Sequence, residues 1–465
     1  MIQSTRFHGI FSFVLALAIM AGSLLSCSNP AGNSSSTPVT GVSLNTSTYT
    51  MLINASYQLS ATISPSNATN QSVTWASNNT AVATVSTSGL VTGVGVGTTT
   101  ISATAADGQK AASCTVIIPA DTWGQSVGEA IDSSGNIYMA GRVGTSSNFC
   151  SPCYWKNGTL NRLPLGSGNT YGKGSRLSVS TAGDVYISGW VGSSSSNYSP
   201  CLWRNGILSI LSIGTGNTYF SLAGTTVDSS GNFYIAGCVG TSSDYHNCIP
   251  CYWENGTLTY LPLGTFSSTT MTYGTAGGIA FDPSGNLFIS GWVQADVGTN
   301  SYGSLCYWKN GTIPVGFPNG TGNKEYNTPY DIAWDASGNI YIVGTIGPTT
   351  TTMGPAYWEN SAETSLPMGT GNTCGQGWTL AIDSSNNVYI GGSVGPTASS
   401  QTPSYWKNGV QMALPFGSSG IGTSSSMGHI VCSVSGHVYI TGGIGTASSL
   451  TPCFWEDGSL TNLPL

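Results

Sequence analysis

Ile137-Tyr138-Met139-Ala140-Gly141-Arg142-Val143, followed after a Ser/Thr/Gly-rich loop by Cys153-Tyr154-Trp155-Lys156-Asn157-Gly158 and a run ending in Leu163-Pro164-Leu165, decides the fold. Ahead of it Val127 to Asp132 is joined to Ile137 by Ser133-Ser134-Gly135-Asn136. Asp132 can accept hydrogen bonds from backbone N–H groups inside that turn, and Gly135 can take positive φ without a Cβ clash. Asn157-Gly158 between two apolar runs signals a type I′ hairpin, because both central residues need positive φ. Two hairpins in succession make a four-stranded meander.

The unit recurs to the last residue. Trp155, Trp203, Trp253, Trp308, Trp358, Trp406 and Trp455 mark it at spacings of 48, 50, 55, 50, 48 and 49 residues. A unit repeated at this period stacks on copies of itself, since one copy cannot bury its own apolar face. Four-stranded meanders at such a period are β-propeller blades. Pro164, Pro262, Pro367, Pro415 and Pro464 fall in the fourth run, which marks it as the outer edge, where a missing ladder donor is tolerated.

Tyr405-Trp406-Lys407-Asn408-Gly409 and Ala381-Ile382-Asp383-Ser384-Ser385-Asn386-Asn387-Val388-Tyr389-Ile390 resemble the bacterial extracellular propeller-type repeats of the HAF and SBBP families. The resemblance covers about the last three quarters of the chain. It implies a fold and an exported location, and brings no catalytic residues with it. Val73-Thr74-Trp75-Ala76-Ser77-Asn78, Ala81-Val82-Ala83-Thr84-Val85 and Gly89-Leu90-Val91-Thr92-Gly93 resemble the group 2 bacterial Ig-like domain, which implies a surface spacer or adhesion module over residues 39–119. Short alternating runs between turn-rich segments there agree with an Ig-like sandwich. The expected fold class is all-β: an Ig-like β-sandwich followed by a seven-bladed β-propeller of four-stranded blades over residues 120–465.

Arg6 and His8 precede an apolar stretch, Ile10 to Ala21, that is short for a membrane span and placed like the core of a secretory signal. Leu24-Leu25-Ser26-Cys27 resembles the lipobox of bacterial lipoproteins. That resemblance implies a signal peptide over residues 1–26, a lipidated Cys27 and attachment to the bacterial outer membrane, periplasmic or surface-exposed. Residues 27–38 are small and polar, as in a flexible tether.

Only 6% of the 465 residues are charged, against roughly 25% in an ordinary soluble domain. Net charge is −7 with no run of Lys or Arg, which sets nucleic acid aside as a partner. Past Cys27 the histidines are His246, His429 and His437, with neither a Gly-x-Ser-x-Gly elbow nor a His-Glu-x-x-His helix. Glu129 and Asp331 stand in the first strands of their repeats, where carboxylates could meet across the axis; they are not adopted as a site. No cofactor and no metal is expected, and the protein is expected to be a monomer.

The turn Asp is Asp132, Asp228, Asp282, Asp335 and Asp383, replaced by Ser180 and Ser433. Serine can cap a turn but is a poor general acid or base, so these are turn residues. Removing Cys27 leaves eleven of the twelve cysteines, an odd number. Cys153, Cys201, Cys251, Cys306 and Cys453 share one repeat position with Ala356 and Ser404, as a small buried strand residue would. Cys150 with Cys153, and Cys248 with Cys251, form Cys-x-Pro-Cys, open to a local disulfide or to unpaired thiols, with redox catalysis and zinc disfavoured.

Nine residues before the turn position stand Trp123, Tyr171, Tyr219, Tyr273 and Tyr326, then Cys374 and Ser424. The aromatics either wedge between blades or form an open rim for a sugar or an extended peptide. The reading is an exported, lipid-anchored binding or adhesion protein for a glycan or peptide. Its rivals are a carbohydrate-active hydrolase or lyase and a structural surface protein without a discrete ligand.

Overall fold

The computed structural model describes residues 36–465 apart from 107–108, 195–196, 243–246, 267, 298–299, 318–325, 349–351, 413, 416–425 and 447. Among the described residues every extended element is a β-strand, and no α-helix occurs. The N-terminal unit holds a four-stranded sheet and a three-stranded sheet, with a further two-stranded pair that joins Gly41–Leu44 to Ala61–Ser64. Met51, Leu52, Leu59, Val91, Ile101 and Val116 fill its interior.

Beyond it come seven four-stranded antiparallel meanders among the described residues, each in sequential strand order. The first runs Trp123–Ile131, Ile137–Ser146, Phe149–Lys156 and Thr159–Arg162. First strands of consecutive sheets pack together in order, and that of the first sheet also contacts that of the last. The arrangement is propeller-like. Ser126 Oγ of the first sheet lies 2.8 Å from the carbonyl oxygens of both Gly442 and Cys453 in the last and accepts from the Gly442 N–H, so the two ends of the array are directly joined.

Local chemistry explains each hairpin. Asp132 Oδ1 accepts from the Ser134 and Asn136 N–H groups, while Oδ2 accepts from Asn136 Nδ2 and the Tyr138 hydroxyl. Ser180 and Ser433 cap the equivalent turns by accepting from the Asp184 and His437 N–H groups. Asn157 and Gly158 take φ of 48° and 79°, as a type I′ turn requires. Asn157 also ties the two turns of its sheet together, accepting from Ile137 N–H and donating to Asn136 Oδ1.

Between sheets the seven marker indoles are fully buried. Trp155, Trp203, Trp253 and Trp308 each lie over a glycine of their own second strand: a Cβ on Gly141 would stand 2.8 Å from Trp155 and 2.1 Å from the Gln125 carbonyl. Six indole N–H groups donate to a backbone carbonyl just past the outer strand of the preceding sheet. Trp203 reaches Pro164, Trp253 Ser212, Trp308 Pro262, Trp406 Pro367, Trp455 Pro415 and Trp155 Pro464, at 2.7–2.8 Å. For Trp358 the matching position, 318, lies outside the described residues. The prolines thus sit beyond the fourth strand and not within it: in the first sheet the strand ends at Arg162, and Leu163 N–H makes a last bond to the Pro152 carbonyl.

Candidate axial site

Every first strand carries a β-bulge toward its turn end, for example between Ser126 and Gly128, Gly174 and Arg176, Pro329 and Asp331, and Met427 and Ile430. A bulge adds an unpaired residue and re-aims the side chains beside it. Glu129, Arg176, Asp331 and His429, at or beside these bulges, line one cavity of about 160 Å³. All seven first strands contribute to its wall, with Thr225, Ile279, Tyr330 and Leu380 among the remaining lining residues.

His429 sits between the two carboxyl groups. Its Nε2 is 3.3 Å from Asp331 Oδ2, and its Nδ1 is 3.9 Å from Glu129 Oε1. Asp331 is held firmly: Oδ1 accepts from Ile332 N–H at 3.0 Å, and Oδ2 accepts from Leu380 N–H at 3.1 Å and from Thr379 Oγ1 at 3.2 Å. Arg176 Nε donates to the Ala223 carbonyl of the neighbouring sheet at 3.2 Å. Glu129 is sealed, with neither carboxyl oxygen in a well-directed hydrogen bond, whereas Asp331 and His429 keep 17% and 24% side-chain exposure.

Burial pushes the Glu129 carboxyl well above the usual range, and Thr441 and Arg176 offset this only in part. Burial acts the same way on Asp331, but the hydrogen bond and charge of His429, with Arg176 and Leu380 N–H, hold its carboxyl below the ordinary value. Burial lowers His429, with Asp331 opposing and Arg176 assisting. These shifts favour the protonated form of Glu129, the ionised form of Asp331 and the neutral form of His429, beside the Arg176 guanidinium. The cluster presents both donors and acceptors. Among the described residues no three His, Cys, Asp or Glu side chains converge in a way that would hold a metal ion.

The expected aromatic rim is different in the structure. Trp123, Tyr171 and Tyr273 are 2%, 8% and 2% exposed, so these rings do not offer an open stacking face. Tyr171 packs edge-on to Trp190 and Tyr273 edge-on to Trp292, while the Arg142 guanidinium covers Trp123. Tyr219 is half-buried, Tyr326 begins its strand with its side chain outside the described residues, and Cys374 is buried. The local disulfides are corrected as well: Cys150 is not bonded to Cys153, nor Cys248 to Cys251. Each Cys-x-Pro-Cys lies within a single strand, where residues three apart point to opposite faces. Cys27 lies outside the described residues.

Of the axial residues, Glu129 and Asp331 are legible in the sequence as first-strand carboxylates, whereas nothing local links Arg176 and His429 to them. The signal lies in one repeat position, held by Arg176, Asp331 and His429 in three sheets and by Gly128, Gly224, Gly278 and Thr379 in the others, in a chain poor in charge.

Residues 38–116 match the family model of the bacterial Ig-like domain (group 2). An Ig-like virion protein of Serratia phage KSP90 is 43% identical over 81 residues, 17% of this chain and 31% of that protein. An uncharacterized protein of Clostridium acetobutylicum is 38% identical over 89 residues, 19% of this chain and 9% of that protein. The chain thus spans less than a third of the length of these curated relatives. Among solved structures, a quinonprotein alcohol dehydrogenase-like protein of Bacteroides thetaiotaomicron aligns with a TM-score of 0.34 and 10% identity, covering 90% of this chain and 94% of that one.

Proposed function

We propose that the protein is an exported binding protein, lipid-anchored at Cys27 in the bacterial outer membrane. In this reading the Ig-like domain is the spacer, and the repeats form a seven-bladed propeller that recognises a periplasmic or extracellular glycan or peptide. One observation carries it. A chain with 6% charged residues gathers Glu129, Arg176, Asp331 and His429 around one axial cavity. Desolvating ionisable groups is costly, so such a cluster points to recognition or chemistry. Ring closure does not require it, because the positions matching Arg176, Asp331 and His429 in the other sheets hold Gly128, Gly224, Gly278 and Thr379, and those matching Glu129 hold Leu177, Thr225, Ile279, Ile332, Leu380 and Ile430.

The cavity favours binding over glycan cleavage. At about 160 Å³ it is smaller than the roughly 300–1,000 Å³ of usual ligand pockets. A polar end group fits such a space, whereas a sugar chain spanning a scissile bond does not. Mixed donors and acceptors suit a neutral hydroxyl- or amide-bearing group. A chain starting at Ser28, probed on glycan and peptide arrays, tests the reading. Binding that is lost in both Asp331→Asn and His429→Ala supports it; binding that survives both variants removes the axial site from recognition.

A further inference from the structure

In the third repeat sheet Cys238 lies on Phe233–Gly240 and Cys248 begins Cys248–Glu254. The register pairs Cys238 with Pro250 and Gly240 with Cys248. Paired residues share a face, and so do residues two apart on one strand, which puts both cysteines on the same face as diagonal neighbours. Cys251, with odd spacing, points to the other face.

The same diagonal is a contact elsewhere in the array. In the second sheet it brings together Trp190 and Tyr198, with ring centroids 5.6 Å apart. In the sixth it brings together Ser393 and Gln401, which are hydrogen-bonded. Sheet twist closes this diagonal. Opposite the second member stands a glycine, Gly192 or Gly240, whose missing Cβ leaves the diagonal clear. Cys238 and Cys248 are 1% and 0% exposed, and the hydrogen bond between them is the largest influence raising the Cys238 thiol.

We propose that Cys238 and Cys248 are a disulfide-forming pair that links the second and third strands of this sheet when the chain folds in an oxidising compartment. The step is thiol–disulfide exchange with an external low-molecular-weight disulfide. One cysteine thiolate attacks it, releasing one thiol and leaving a mixed disulfide; the second thiolate attacks the cysteine sulfur of that mixed disulfide and releases the other thiol. Two cysteine thiols are oxidised and one external disulfide is reduced to two thiols. Because both sulfurs are buried in the folded sheet, exchange takes place during folding, and the finished bond is shielded from reductant.

The chain from Ser28, unfolded and refolded in glutathione disulfide and glutathione, tests this after alkylation and chymotryptic mapping without reduction. Cleavage after Tyr245 separates the two cysteines, so the bond appears as a link between the peptide Ile235 to Tyr245 and the peptide His246 to Tyr252. The link should be lost on reduction, persist in Cys251→Ser and be absent in Cys248→Ser. Alkylation of both Cys238 and Cys248 in the refolded wild type would overturn the proposal. So would a link that Cys251→Ser abolishes, and the wild-type and Cys251→Ser maps decide even if Cys248→Ser fails to fold.

Discussion

The indole N–H of Trp155, in the first repeat sheet, donates to the backbone carbonyl of Pro464 at 2.8 Å, across 309 positions of sequence. It is the same bond that five other marker tryptophans make to the preceding sheet, here made between the first sheet and the last. Closure therefore uses the ordinary contact between sheets.

Trp155→Phe keeps most of the ring and deletes one donor, so it should cost about 0.5–1.5 kcal/mol. Trp155→Ala also empties the space over Gly141 and should cost about 3–5 kcal/mol. Denaturant unfolding of the two variants checks both. Equal, small losses would mean that the indole does not hold the ends together.

Tyr171→Ala and Tyr273→Ala should each destabilise by about 3–5 kcal/mol, because both rings are buried and packed edge-on against tryptophans. Melting curves decide the point before any ligand is known. An unchanged curve for either variant would return that ring to the surface.

Glu129→Gln should stabilise the protein at neutral pH and leave it unchanged at acidic pH. Burial raises the folded-state pKa of Glu129, so its contribution is most favourable below the unfolded carboxylate pKa, about 4.3. It worsens as pH rises from there toward the folded value, while the unfolded chain sheds the proton. Gln mimics the protonated form and removes that slope. His429 runs oppositely, its depressed pKa costing stability as pH falls below about 6.5. Thermal melts of wild type and Glu129→Gln from pH 4 to pH 8 should diverge upward with pH; parallel profiles would contradict a raised Glu129 pKa.

Asp132→Ser should lower stability at pH 7 and converge with wild type in acid. Hydrogen bonds led by Asn136 depress the Asp132 pKa, so its contribution is present above the unfolded value, about 3.9, and is lost as pH falls through the folded one. Ser180 and Ser433 show that serine can form the turn. A stability difference that persists well below the folded pKa would point to packing instead of charge.

Cys27→Ser should release the protein from the membrane fraction and abolish fatty-acid labelling, because thioether attachment of lipid needs the Cys27 thiol. Absence of label from the wild type would refute the anchor.

Sequence alone determined the repeat, its four-stranded unit, the Asp- and Asn-Gly-centred turns and the Ig-like segment. Those features rest on local rules: φ preferences, turn hydrogen bonds, and a period that survives from Trp155 to Trp455. Tertiary structure decided what strict alternation hides. Bulges in the first strands shift side-chain direction, so Glu129, Arg176, Asp331 and His429, spread over 301 positions, meet at one axis. Whether Tyr171 and Tyr273 face solvent or a neighbouring sheet depends on how the sheets stack, which no single repeat encodes. Cys248 likewise has its diagonal neighbour across a hairpin and not three residues along its own strand, because a β-strand sends residues three apart to opposite faces.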